Sequence, residues 1–240
     1  MIIQACINGA RSAEYHPQLP LTPVAMAAAA RGCVLAGAAE IHLHIRDRQG
    51  KESLAAADVA ATVQEIRRAC PGTLLGISTG EWIENAMERT LSCIRQWRVG
   101  PDYASVNLGE SGALPVMRQL RAAGVGIEAG LGSLADAEKL LASGFLPQVL
   151  RILIELERQD VVQAMAQAHG IMGLLAGQRV RRPWLLHGFD ATVWPLAALA
   201  LGQGISTRVG LEDSRYLPYG QLAADNAALV AAAMAIKHPG

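Results

Sequence analysis

The sequence predicts an α/β fold, a single-domain (β/α)8 barrel of the TIM-barrel class running over residues 1–240. Three observations carry this. Short strand-like apolar runs alternate with helical stretches eight times. A chain of 240 residues, 51% of them apolar, is the right size for one such barrel with a filled core, and no shift of composition divides it. Polar residues also gather at the carboxyl ends of the strand-like runs, where a barrel builds its site.

The elements follow in order. Ile2 to Asn8 is the first strand, ended by Asn8-Gly9, and a loop passes His16-Pro17 to Pro20. Thr22-Pro23 reads as the N-cap and first position of a helix to Leu35, which Gly37 stops. The second strand lies within Glu40 to Asp47, a loop to Ser53 follows, and the second helix runs from Leu54 to Arg68. Thr73 to Ser78 is the third strand, leading through Thr79-Gly80 into a helix over 82–96. Strand Asp102 to Asn107 precedes helix Ala113 to Ala123, and strand Val125 to Glu128 precedes helix Ser133 to Ala142. Val149 to Ile154 is the sixth strand, with a helix over 158–169 behind it. Trp184 to His187, a helix over 191–201, Ile205 to Val209 and a helix over 222–236 complete the eight units.

Charge and cysteine usage exclude several classes of function. The 21 basic and 21 acidic residues cancel and are scattered, so no global field points to nucleic acid or an acidic membrane surface. The Ala-rich segment 22–39 is broken by Arg31 and by glycines, which makes it a packed helix rather than a membrane span. Cys6, Cys33, Cys70 and Cys93 show no Cys-x-x-Cys spacing, and no signal peptide opens the chain, so a cytoplasmic protein with reduced thiols is expected.

The chemistry starts from Glu40-Ile41-His42-Leu43-His44-Ile45-Arg46-Asp47. As a strand it sends Ile41, Leu43 and Ile45 to one face and His42 and His44 to the other, so two imidazoles converge on one space. Alone, that pair describes two hydrogen-bonded core histidines as well as two metal ligands. The other strands supply Asn8, Ser78, Ser105 or Asn107, Glu128, His187, and Arg208, Gly210 and Glu212 at their carboxyl ends. By parity Ser206, Arg208, Gly210 and Glu212 share one face of the last strand. Strands eight, one and two are neighbours in a closed barrel, so Glu212 comes within reach of His42 and His44. Two imidazoles and a carboxylate, with one position left open, are the composition of a catalytic zinc site.

Together, Asn8-Gly9-Ala10, His16-Pro17, Leu21-Thr22-Pro23, the His42-Leu43-His44 strand, Ile77-Ser78-Thr79-Gly80 and Arg208-Val209-Gly210-Leu211-Glu212-Asp213 resemble the β-keto acid cleavage enzymes over nearly the whole chain. The resemblance implies a zinc-holding barrel that takes a β-keto acid and acetyl-CoA to acetoacetate and a new acyl-CoA. It matches His42, His44 and Glu212 to the metal ligands, and Asp213, Arg208 and Ser78 to the catalytic machinery. On this reading Asp213 is the base, and Asn8, Thr79, Gly80, Ser105, Asn107, Glu128 and His187 are expected around the substrate. Ser78 could instead cap the following helix, and Glu128 could pair with Arg151 or Arg208. Arg181-Arg182 fits either CoA phosphates or a solvated loop. Two positions depart from the family pattern: Arg11 stands where a glutamate is common, and Glu81 where a second glycine is common, crowding or repelling an anionic substrate. Two other readings share the motifs, a metal-dependent hydrolase barrel and a non-catalytic relative that binds metal or acyl-CoA. Relatives assemble, so a homo-oligomer is expected.

Overall fold

A computed structural model describes residues 1–237. Eight parallel strands lie in the order β7-β6-β5-β4-β3-β2-β1-β8, with helices following the strands along the chain. The strands are β1 Ile3–Cys6, β2 Glu40–Leu43, β3 Leu74–Ser78, β4 Tyr103–Asn107, β5 Gly126–Leu131, β6 Arg151–Leu156, β7 Trp184–Gly188 and β8 Thr207–Val209. The ends of that order meet. Leu185 and Ser206 form a single parallel bridge, and the Thr207 hydroxyl donates to the Leu186 carbonyl at 2.8 Å, which closes the sheet into the expected barrel.

The helices are α1 Pro23–Leu35, α2 Ala56–Ala69, α3 Glu81–Glu84, α4 Met87–Gln96, α5 Ala113–Ala122, α6 Leu134–Ala142, α7 Val161–Gly177, α8 Val193–Gly202 and α9 Asn226–Lys237. Thr22 caps α1, its hydroxyl accepting from Ala25 N at 3.2 Å, with Pro23 in the first turn as the sequence requires. Outward strand residues such as Ile41, Leu43, Leu75, Ile77 and Ile127 bury against apolar helix residues including Val63, Ile66, Met117 and Leu120. Among the described residues no helix is long and apolar enough to cross a membrane.

Several boundaries differ from the sequence reading, each for a local reason. The helix over 82–96 is two helices, because Asn85 adopts a left-handed conformation at φ 53° that interrupts the ladder. The helix after β6 begins at Val161, capped by Asp160, and runs on to Gly177 through Gly170 and Gly173; its buried Ile171, Met172 and Leu175 outweigh the low propensity of those glycines. Leu222 lies in a small antiparallel turn with Tyr216, so the last helix starts only at Asn226. Strand β5 continues to Leu131, which leaves Glu128 in mid-strand rather than at the carboxyl end.

Side chains from opposite walls meet inside the barrel. Gln4 Nε2 donates to Tyr103 Oη at 2.8 Å and to Glu128 Oε2 at 3.2 Å, while Arg151 bonds both Glu128 and Glu40. These residues come from β1, β4, β5, β6 and β2, so only the interior can bring them together. Gly76 makes room for this layer: a Cβ there would sit 2.1 Å from the Tyr103 ring.

Candidate metal centre

Next along the strands from this ionic layer, the side chains form a cavity of about 380 Å3 whose lining includes His42, His44, Ser78, Ser105, Asn107, Arg208 and Glu212. His42 lies on β2 beside Cys6 and Gly76, and His44 follows the strand. The strand proper ends at Leu43, yet His44 stays on the same side because Asn8 grips its backbone. Asn8 Oδ1 accepts from His44 N at 2.8 Å, and Asn8 Nδ2 donates to His44 O at 2.9 Å.

Glu212 arrives by a different route from the one parity suggests. β8 stops at Val209 and residues 211–213 form a turn, with Glu212 N donating to Cys6 O at 3.2 Å and Asp213 N to Gly210 O at 2.9 Å. Gly9 admits the carboxylate: its φ is 55°, and a Cβ would sit 2.4 Å from Glu212 Cγ. Glu212 Oε1 then lies 3.6 Å from His44 Nε2, and Oε2 lies 3.9 Å from His42 Nε2. One donor atom from each of His42, His44 and Glu212 falls within 4.8 Å of the others.

The residues fit a metal ion. Glu212 Oε2 is buried without a hydrogen-bond partner, a costly arrangement that a cation between it and the imidazoles relieves. Two nitrogens and one carboxylate oxygen suit a borderline divalent ion with an open position. Burial pushes the His42 imidazole down to about 4, against the pull of Glu212, so this ring is neutral and available as a ligand at pH 7. Burial acts the same way on His44, but Glu212 and Glu52 outweigh it and raise its pKa to about 9. Metal must therefore displace a proton there. Burial opposes ionisation of Glu212, yet Arg208, with His44 and His42, holds its carboxyl well below the usual range.

Behind the ligands lies a dense charge network. Arg208 Nη2 is 2.5 Å from Glu212 Oε1, 3.1 Å from Asp213 Oδ1 and 3.4 Å from Glu155 Oε2. His187 bridges the same carboxylates, its Nε2 2.9 Å from Glu155 Oε2 and its Nδ1 3.4 Å from Asp213 Oδ1. Burial would favour neutral Glu155, but His187 and Arg208 hold its pKa at about 2. Asp213 is fully buried, and its Oδ2 has no hydrogen-bond partner.

The other expected residues separate into two groups. Ser78, Ser105 and Asn107 line the cavity beside Arg208. Ser78 caps no helix: its hydroxyl accepts from Gly80 N at 3.3 Å, and α3 has no side-chain cap. Asn8, Thr79, Gly80, Glu128 and His187 do not line this cavity. Asn8 fixes His44, Thr79 donates to the Ser105 carbonyl at 2.7 Å, Gly80 underlies the Trp82 ring, and Glu128 is neutralised by Arg151. Glu81 does not line it either; it is exposed, and Ser111 donates to it. Arg182 lies two residues before the amino end of β7, and it donates to the Leu146 carbonyl at 3.2 Å. The cavity at the carboxyl ends is therefore at the opposite end of the strand from it.

Sequence reasoning did not single out Glu155, Trp82, Phe189 and Glu157, which also line the wall, or Glu52, which supports it. Glu155 was within reach of parity, since Arg151, Leu153 and Glu155 alternate on β6 once that strand is extended past Ile154. Glu52 sits in a loop, where no periodicity marks it.

A model of the beta-keto acid cleavage enzymes matches residues 1–238. The chain belongs to the β-keto acid cleavage enzyme family. Among similar proteins, 3-keto-5-aminohexanoate cleavage enzyme of Fusobacterium nucleatum is 27% identical, over 96% of this chain and 88% of its own. A 3,5-dioxohexanoate:acetyl-CoA acetone transferase of Paraburkholderia graminis is 26% identical, over 96% of this chain and 87% of its own. Among solved structures, a binary complex of ObcA with oxaloacetate superposes with a TM-score of 0.72 at 17% identity, over 90% of this chain. This chain spans only 63% of that one, and the likeness bears on the fold alone. Membership of a family of β-keto acid cleavage enzymes sets aside the hydrolase reading.

Proposed function

We propose that this β-keto acid cleavage enzyme is a zinc-dependent acyltransferase that converts a β-keto acid and acetyl-CoA into acetoacetate and a new acyl-CoA. The observation that carries this is the pairing of two partnerless buried carboxylate oxygens, Glu212 Oε2 facing His42 and Asp213 Oδ2 one residue on. The first is a ligand and the second a base. A zinc ion held by His42, His44 and Glu212 supplies Lewis-acid polarisation of a ketone oxygen. Asp213 Oδ2 takes the proton from the carbon between ketone and carboxylate. Arg208 aligns Asp213 through Oδ1, leaving Oδ2 for the proton. Ser78, Ser105 and Asn107 offer neutral hydrogen bonds along the cavity wall to orient the substrate carboxylate. The carbanion attacks the thioester carbonyl of acetyl-CoA. CoA transfer to the original acyl carbon and a reverse Claisen cleavage then release acetoacetate, and the cleaved carbon takes back one proton.

The relative named for 3,5-dioxohexanoate and acetyl-CoA supports the co-substrate. The test is acetoacetate release, by mass spectrometry, from zinc-loaded protein given acetyl-CoA and a panel of β-keto acids. Release with some acids, lost by roughly 10²–10⁴-fold in Asp213→Asn, is the expected result. Silence across the panel with one zinc per subunit would make the protein a non-catalytic relative.

A further inference from the structure

The two histidines of the centre are not held alike. His42 Nδ1 is buried with no hydrogen-bond partner, whereas His44 Nδ1 lies 2.5 Å from Glu52 Oε1. The other oxygen of that carboxylate, Glu52 Oε2, accepts the Trp82 indole N–H at 2.9 Å. The indole in turn stacks on the His44 ring, with centroids 6.3 Å apart and planes 28° apart. Three side chains thus close a ring of contacts around one imidazole.

Each corner of this ring is fixed from outside it. Glu52 pairs in an antiparallel bridge with Arg46, and the next residue donates from Ser53 N to Ile45 O at 3.1 Å, so the loop returns alongside the strand that carries His44. Trp82 sits on Gly80, where a Cβ would come within 2.3 Å of the indole, so a side chain at 80 would unseat it. Asn8 already holds the His44 backbone. With Nδ1 committed to Glu52, Nε2 is the ring nitrogen left for a metal, on the side that faces Glu212.

We infer that Glu52 is a positioning residue of the metal centre, setting the ring orientation and tautomer of His44, and that Trp82 holds Glu52 in place while roofing the substrate cavity. The inference rests on the metal reading of His42, His44 and Glu212. Its consequence is asymmetric: ligand orientation at this centre depends on a loop residue behind one histidine only.

The test is a competition titration of Zn2+ between a chromophoric chelator and the metal-stripped full chain, with thermal unfolding of the same metal-free samples beside it. Glu52→Ala is expected to weaken zinc binding about 10–100-fold. Glu52→Gln keeps an acceptor oxygen but not the charge and is expected to fall between wild type and Glu52→Ala. Trp82→Phe keeps the ring but not the N–H, and loses a few-fold in affinity. A structural role alone would lower the metal-free melting temperature and leave the zinc Kd untouched. That outcome, or a wild-type Kd in Glu52→Ala, overturns the inference. Should Glu52→Ala not fold, an unchanged Kd in Glu52→Gln overturns it instead. If wild type itself takes up no zinc, the metal reading fails and this inference with it; zinc uptake with no effect at Glu52 leaves the metal reading standing and removes only the positioning role.

Discussion

Arg208→Met tests whether the charge network behind the ligands works as the distances imply. Arg208 is 1% exposed and faces Glu212, Asp213 and Glu155 at 2.5 to 3.4 Å, so methionine fills part of the space and removes the guanidinium charge from two buried carboxylates and one half-buried one. Glu155 sets the scale. Burial favours its neutral form, yet His187 and Arg208 hold its pKa at about 2, against an ordinary 4.5. At about 1.4 kcal/mol per unit, that shift contributes about 3 kcal/mol to folding at neutral pH. The folded pKa is depressed, so the contribution is complete above the unfolded value of 4.5 and is lost as pH falls through 4.5 toward 2. Metal-free Arg208→Met is therefore expected to be roughly 3–5 kcal/mol less stable than metal-free wild type at pH 7. The gap should hold to about pH 5 and then narrow, by at most roughly 2 kcal/mol at pH 3, because His187 keeps part of the hold on Glu155. Urea unfolding across that range in the presence of a chelator measures it. A gap independent of pH would refute the argument, because it would mean that Arg208 stabilises by packing and not by holding carboxylates ionised.

Other substitutions separate fold from site. Gly9→Ala forces a side chain into φ 55° and against Glu212 Cγ; it is expected to cost roughly 1–2 kcal/mol in stability and to weaken zinc binding far more than any control substitution in α5, as read by chelator competition. Arg151→Met breaks the interior bonds to Glu128 and Glu40 and should cost roughly 3–5 kcal/mol by urea unfolding, with the zinc Kd unchanged because Arg151 touches no ligand. Adding zinc at a hundred times its Kd should stabilise wild type by about 2.7 kcal/mol in thermal unfolding. His42→Ala should stay folded and show no such gain.

The barrel was legible because its signals are local and repeat. Strand and helix periods, the Thr22-Pro23 cap and the stop at Gly37 each act within a few residues, and they agree with one another. Boundaries that depended on tertiary burial were not legible, as in α7, where packing of Ile171, Met172 and Leu175 carries the helix past two glycines. The grouping of the three candidate ligands was legible for a related reason: His42 and His44 are set by strand parity, and Glu212 by the closure of β8 on β1. Parity assigned Glu212 to the strand when it lies in the turn beyond it; the carboxylate still reaches the centre because Gly9 leaves it room. The supporting residues were harder. Whether Asn8, Thr79 and His187 face substrate or backbone depends on side-chain partners far away in sequence, and the Glu52 contact depends on a loop that folds back on its own strand.

The two departures from the family pattern take their meaning from those partners. Arg11 does not leave a free cation at the cavity mouth. Its Nε donates to the Glu212 carbonyl at 3.0 Å, its Nη2 lies 3.1 Å from Asp190 Oδ1, and its guanidinium rests over the Tyr15 ring at 4.3 Å. It therefore fastens the loop after β1 to the turn that carries Glu212 and to the loop after β7, and an acidic residue in its place would face Asp190 and the Glu212 carbonyl with the wrong sign. Glu81 does not line the cavity that holds His42, His44 and Glu212; it accepts from Ser111 and lines the adjoining hollow with Trp82, Asn107, Glu155 and Glu157. The substitutions leave Asp213, Arg208 and the three candidate ligands together, and Arg11 ties down the backbone of the one that arrives by a turn instead of a strand.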